Sequence, residues 1–86
     1  MMETTDNRLK RLRMRSWRRG IKEMDLILGP FADAHLATLD AQALDSYEAL
    51  LEEHDQDLYP WFSGQRAVPE RHAPMVARIL DGRSFR

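Results

Sequence analysis

The chain has 86 residues, no cysteine, and 13 Lys or Arg against 14 Asp or Glu, for a formal net charge of −1. A chain this short buries roughly 60–65% of its unfolded surface, enough for one modest core but not for an enclosed catalytic cavity. The missing cysteines exclude disulfides, thiol nucleophiles and thiolate metal sites, and no apolar run exceeds three residues, against the ~20 that a membrane span needs.

The near-neutral total hides a strong polarity along the sequence. Residues 8–22 hold eight Lys or Arg and no acid, residues 23–58 hold ten Asp or Glu and no Lys or Arg, and residues 59–86 are again basic. Blocks of this kind are usually solvated faces that meet in the fold, and they can also steer a partner of complementary charge. The segment from Arg8 to Arg19 is too charged for the apolar part of a secretion signal, so the reading is of a soluble, cytoplasmic protein.

Helix formers dominate Arg8 to Arg19, with Leu9, Leu12, Met14 and Trp17 as sparse apolar positions, and they predict a weakly amphipathic first helix. Residues 1–7 are expected to be disordered. Ile21, Met24, Ile27, Leu28 and Phe31 recur at helical spacing and mark a second helix, in which Pro30 introduces a kink while Phe31, Ala32, Ala34 and Leu36 continue the pattern. Gly20 either ends the first helix or caps the second; in the second case Glu23 is the N3 residue, placed to reach back to the cap N–H.

Thr38, Leu39 and Asp40 read as a turn with Asp40 as N-cap, leading to a third helix whose inner face carries Leu44, Tyr47, Leu50 and Leu51. Glu52, Glu53 and Asp55 put acid at its C-terminus, the wrong end of the helix dipole, unless basic residues of the first helix lie beside them. Asp55 or Asp57 can cap a short fourth helix, with Pro60 in or near its first turn, Leu58, Trp61 and Phe62 packing, and Gly64 at its end. Pro69 and Pro74 confine the start of a fifth helix with Met75, Val76, Ile79 and Leu80 inside. No alternation long enough for a strand is present. The expected fold is all-α, a small single-domain bundle of about five helices over residues 8–82, with residues 83–86 frayed.

Little in the chain points to catalysis. His35, His54 and His72 lack the i, i+3 or i, i+4 spacing of helical metal sites; no serine has the flanking glycines of a nucleophile elbow; and the carboxylates between Glu48 and Asp57 lack an apolar pocket to raise a pKa. The basic arm, with Trp17 for stacking, allows a nucleic-acid-binding module, against which stand the acidic middle and an isoelectric point near 6.3. An antitoxin-type interaction module is the other alternative.

Arg19-Gly20-Ile21-Lys22-Glu23 resembles the Arg-Gly-x-x-Glu signature of the succinate dehydrogenase FAD assembly factors of the SdhE type. The resemblance extends to Ser16-Trp17-Arg18-Arg19-Gly20 with Glu23-Met24-Asp25-Leu26 and Phe31, and to Leu50-Leu51-Glu52, Asp55, Asp57-Leu58 and Trp61. Tyr47, Pro60 and Pro74 depart from the family pattern. What the resemblance implies is a five-helix chaperone, not itself an enzyme. It would bind the flavoprotein subunit of succinate dehydrogenase, and that of fumarate reductase as a further client, while the flavoprotein attaches FAD to its own histidine. FAD then belongs to the partner, no cofactor or metal is held stably by this chain, no nucleic acid or membrane insertion is involved, and the free factor is a monomer. The implied partner-binding residues are Arg19, Gly20 and Glu23, surrounded by Arg18, Trp17, Lys22 and Asp25. Gly20 would admit a partner backbone, Arg19 would make forked bonds to a carboxylate or carbonyl, and Glu23 would meet a cation or N–H.

Overall fold

Thr4 opens the first helix, its hydroxyl accepting from the Asn7 N–H at 3.1 Å, as a short oxygen-bearing side chain does for a backbone donor with no intrahelical acceptor. The computed structural model describes residues 3–83. Its helices are α1 (Thr5–Trp17), α2 (Lys22–His35), α3 (Ala41–Leu51), α4 (Asp55–Ser63) and α5 (Ala73–Arg83), with a 3-10 turn at Leu36–Thr38. Among the described residues there is no strand, and the fold is all-α as the spacing indicates. The helix begins at Thr5, three residues before the expected domain boundary at Arg8, and Glu3 is paired with Arg11 at 2.8 Å. Residues 84–86 of the expected frayed tail lie outside the described residues.

Asp40 caps α3, accepting from the Ala43 N–H at 2.8 Å, and Gly64 ends α4 with a φ of 84°, a left-handed conformation that glycine adopts without steric cost. α2 runs through Pro30 to His35. Two expectations change around α4. Its N-cap is His54, with no side-chain cap bond, so neither Asp55 nor Asp57 caps it. Pro60 is the sixth helical residue and not in the first turn. The hydrogen bond that proline cannot donate would have gone to the Gln56 carbonyl, which instead lies 3.4 Å from Arg66 Nη2.

The core collects the apolar faces of all five helices, with Leu12, Met24, Leu28, Leu50, Leu58 and Ile79 fully inaccessible. Tyr47 sits at its centre, its ring stacked on Phe31 at 5.6 Å. Ser16 Oγ lies 2.7 Å from the Leu12 carbonyl and 2.6 Å from the Tyr47 hydroxyl. A serine has one proton to give; spent on Leu12, it leaves Tyr47 as the donor to Ser16. Burial pushes the Tyr47 phenol up to about 12.

The charge blocks of the sequence become a ladder between α1 and α3. Arg8 pairs with Asp45 at 2.7 Å and Glu48 at 3.0 Å, Arg11 with Glu48 at 2.8 Å, Arg15 with Glu52 at 3.0 Å, and Arg19, just past α1, with Asp55 at 2.8 Å. The rungs advance together in both segments, so α1 and α3 run in the same direction. The pairs made by Arg8, Arg11 and Arg15 are more exposed than Arg19–Asp55, and surface pairs contribute ~0.2–1 kcal/mol each; for these the network matters more for register.

Acid should dismantle it. The Glu48 carboxyl is held below its ordinary value of 4.5 chiefly by hydrogen bonding from Arg11, with burial opposing. Bonding from His72 and Arg71 lowers Glu53 in the same direction. A carboxylate whose folded pKa is depressed stabilises the fold above its unfolded pKa, and that contribution is lost as pH falls through the folded value. The melting temperature is therefore expected to drop between pH 5 and pH 3, with a shallower slope for Glu48→Gln. Parallel slopes in thermal melts would show that the ladder does not carry the effect.

Candidate functional site

The four residues between α1 and α2, Arg18 to Ile21, connect two closely packed antiparallel helices; the Arg18 N–H still reaches the Arg15 carbonyl of α1 at 3.4 Å, but the N–H groups of Arg19, Gly20 and Ile21 have no helical carbonyl to meet. Two carboxylates take them. Asp25 Oδ1, from the first turn of α2, accepts from the Arg19 N–H at 2.6 Å. Asp55 Oδ2, from the start of α4, accepts from the Gly20 N–H and from the Ile21 N–H, the latter at 3.2 Å. Three successive amides are thus fixed by side chains from different elements, and the linker has a defined shape.

Gly20 is therefore neither a helix terminator nor a cap. α1 stops at Trp17 with Arg18 as its C-cap, and Ile21 is the N-cap of α2 without a side-chain bond. The reach back from α2 comes from Asp25, not from Glu23. The φ of Gly20 is not positive, so handedness does not explain the glycine; room does. A Cβ there would stand 3.0 Å from Asp55 Oδ2, closer than a carbon and an oxygen sit comfortably.

Arg19 lies inside this arrangement. Its side chain is 10% exposed, and its guanidinium donates from Nε to Asp55 Oδ1 at 2.8 Å, from Nη1 to the Leu51 carbonyl at 2.9 Å and from Nη2 to the Glu53 carbonyl at 2.7 Å. Arg15 Nη2 also reaches the Leu51 carbonyl, at 3.3 Å. Two guanidinium groups thus sit at the C-terminus of α3, where carbonyls lack helical partners, and they offset the unfavourable placement of Glu52 and Glu53. The forked bonding expected of Arg19 exists, but the acceptors belong to this chain.

What faces outward is different. Trp17 lays its ring on Gly29, where a Cβ would come within 2.3 Å of Trp17 Cδ2, and donates from Nε1 to Asp33 Oδ2 at 3.2 Å; 40% of the residue stays exposed. Arg18, Gly20, Ile21, Lys22 and Glu23 are exposed as well. Among the described residues Arg18, Lys22 and Glu23 have no ion-pair or hydrogen-bonding side-chain partner. Sequence reasoning named the backbone of this site but missed Gly29 and the role of Asp55. A glycine in mid-helix is the signal that could have found the first; nothing local marks the second.

The basic arm is mostly spent. Of its eight cations, Arg8, Arg11, Arg13, Arg15 and Arg19 are paired with carboxylates, which leaves Lys10, Arg18 and Lys22, too sparse a row for tracking a phosphate backbone. No group of three His, Cys, Asp or Glu among the described residues could hold a metal, and no helix there is long and apolar enough to cross a membrane.

Residues 10–83 match the family model described as flavinator of succinate dehydrogenase. The chain belongs to that family. This flavinator-family member is 42% identical over 69 residues to a mitochondrial succinate dehydrogenase assembly factor 2 of Schizosaccharomyces pombe, covering 80% of the chain and 50% of that protein. It is 43% identical over 84 residues to the protein of the same name from Candida glabrata, covering 92% and 55%. A bacterial relative, the FAD assembly factor SdhE of Acetobacter pasteurianus, is 35% identical over 80 residues, covering 92% and 73%. The chain thus spans about half the length of these fungal relatives and nearly three quarters of the bacterial one. The family is one of assembly factors for succinate dehydrogenase, and the nucleic-acid and antitoxin readings find no support in it.

Proposed function

We propose that this chain binds the flavoprotein subunit of succinate dehydrogenase and promotes covalent attachment of FAD to it, without performing bond chemistry itself. The observation that carries the reading is the rigid linker. Its amides are fixed from within by Asp25 and Asp55, while Gly20 and Glu23 are presented to solvent on the matched family segment. A pre-shaped surface loses little conformational entropy on binding, and a glycine at its crest lets another backbone approach closely.

In this reading Gly20, Glu23, Lys22, Arg18 and Trp17 contact the partner, whereas Arg19 and Asp25 act from beneath by holding the linker. FAD stays with the flavoprotein, whose own side chain forms the bond. The recess beside Glu23 measures about 280 Å³, at the small end of sites that enclose even a drug-sized molecule, so this side of the bundle suits a docking face better than a cofactor pocket. A free monomer in the cytoplasm and fumarate reductase as a second client belong to the same proposal.

The test is co-expression of the flavoprotein with the wild-type chain, Gly20→Arg, Glu23→Ala or an empty vector, followed by in-gel fluorescence of denatured flavoprotein. Covalent flavin is expected to rise several-fold with the wild type and to fall to near the vector level with Gly20→Arg. Equal fluorescence in all four lanes would overturn the assignment.

A further inference from the structure

One surface feature beside the linker is not accounted for by the motif. Glu23, Leu26 and Ile27 of α2 face Tyr59, Phe62 and Ser63 of α4 across a groove of about 280 Å³. Its floor is apolar, since Ile27 and Phe62 are buried core residues, and its rim carries Leu26, 53% exposed in a position where α2 could as easily hold a polar residue.

The charge at the mouth of this groove is uncompensated. Around the linker Asp25 is taken by the Arg19 N–H, Asp55 by Arg19 and two amides, Asp57 by Arg66, and Glu52 and Glu53 by Arg15, Arg71 and His72. Glu23 has no such partner among the described residues. A carboxylate left free at one end of an apolar trough matches a long basic side chain, whose methylene stem covers apolar surface while its head seeks an anion. Acidic or purely apolar occupants fit worse: the first would be repelled by Glu23, and the second would desolvate it without a bond.

We propose that the α2–α4 groove receives a lysine or arginine side chain of the flavoprotein, its stem along Leu26, Ile27 and Phe62 and its cation on Glu23, as the second half of the docking surface that begins at Gly20. This rests on the flavoprotein being the partner. The groove and the linker share Glu23, so one partner segment can engage both.

Affinity for purified flavoprotein is measured for the wild-type chain, Leu26→Lys, Glu23→Lys, the double variant, and Glu70→Lys as a charge-matched control outside the groove; circular dichroism checks that each is folded. Leu26 and Glu23 are exposed, so neither change should unfold the bundle. Each single groove variant is expected to weaken binding at least tenfold, the double variant to lose less than the product of the two, and Glu70→Lys to stay within twofold. A photo-crosslinker in place of Ser63 is expected to capture a flavoprotein peptide containing Lys or Arg between apolar residues. If the wild type binds and raises covalent flavin while Leu26→Lys binds within twofold of it, the groove proposal falls and the assembly-factor reading stands. Capture of a second copy of this chain, or of a peptide without a basic residue, also overturns it. A wild-type chain that neither binds the flavoprotein nor raises covalent flavin overturns both.

Discussion

Arg19→Ala is expected to lower the unfolding free energy by about 3 kcal/mol, the low end of the cost of breaking a buried ion pair by removing one partner. The side chains of Arg19 and Asp55 are 10% and 11% exposed, so solvent cannot replace the lost guanidinium cheaply. Without Arg19, Asp55 is held only by the Gly20 and Ile21 amides, so its grip on them loosens; the Leu51 carbonyl keeps only the Arg15 contact at 3.3 Å, and the Glu53 carbonyl loses the donor it has in Arg19. For a domain of this size the change corresponds to a fall in melting temperature of roughly 12–24 °C.

Arg19→Lys should recover only part of this. A single ammonium can satisfy Asp55 or the two carbonyls, but it lacks the planar fork that reaches all three in fixed directions. The two variants also separate positioning from contact. If Arg19 acts beneath the linker, flavoprotein affinity at a temperature where Arg19→Lys is fully folded should fall along with hydrogen-exchange protection of the Gly20 and Ile21 amides. Loss of affinity with those amides still protected would mean that Arg19 touches the partner directly.

How much of this was legible in the chain depends on range. Features set by neighbouring residues read well: the apolar stripe Met24, Ile27, Leu28 and Phe31, the Asp40 cap, and the Gly64 terminator follow from periodicity and local hydrogen bonding. The suspicion that acid at the end of α3 answers to the basic helix holds for Glu52 and Asp55 but not for Glu53, whose carboxylate meets Arg71 and His72 instead. Which acid meets which base was hidden. It depends on α1 and α3 lying side by side in the same direction, a fact no local pattern encodes.

The linker was misread for a related reason. A capping box between Gly20 and Glu23 is a sound local expectation, but a carboxylate 35 residues away, at Asp55, reaches the Gly20 N–H instead. Once Asp55 takes that donor, Glu23 is released to solvent, which is the condition for its meeting another molecule. Pro60 was placed too near the helix start because the rule against interior proline assumes an orphaned carbonyl, and Arg66 lies within reach of the one at Gln56.

Gly29→Ala separates two physical effects of opposite sign. Helix propensity alone favours alanine over an interior glycine by about 1 kcal/mol, so a variant judged by its own helix should be more stable. The structure predicts the reverse. An added Cβ would lie 2.3 Å from the indole ring of Trp17, far inside the ~3.5 Å contact distance of two carbons, and the ring must leave. It takes with it the bond from Nε1 to Asp33 at 3.2 Å and the burial of more than half of the residue, a loss of about 2 kcal/mol at ~25 cal/mol per Å² of apolar surface. A net destabilisation of about 1 kcal/mol and a red shift in tryptophan emission are therefore expected, the latter from Trp17 because Trp61 is 8% exposed within the core. The same variant reports on docking. With Trp17 anchored in the interface, flavoprotein affinity falls tenfold or more as the ring swings out; if affinity is unchanged while the emission shifts, Trp17 only braces α1 against α2 and the contact surface ends at Arg18.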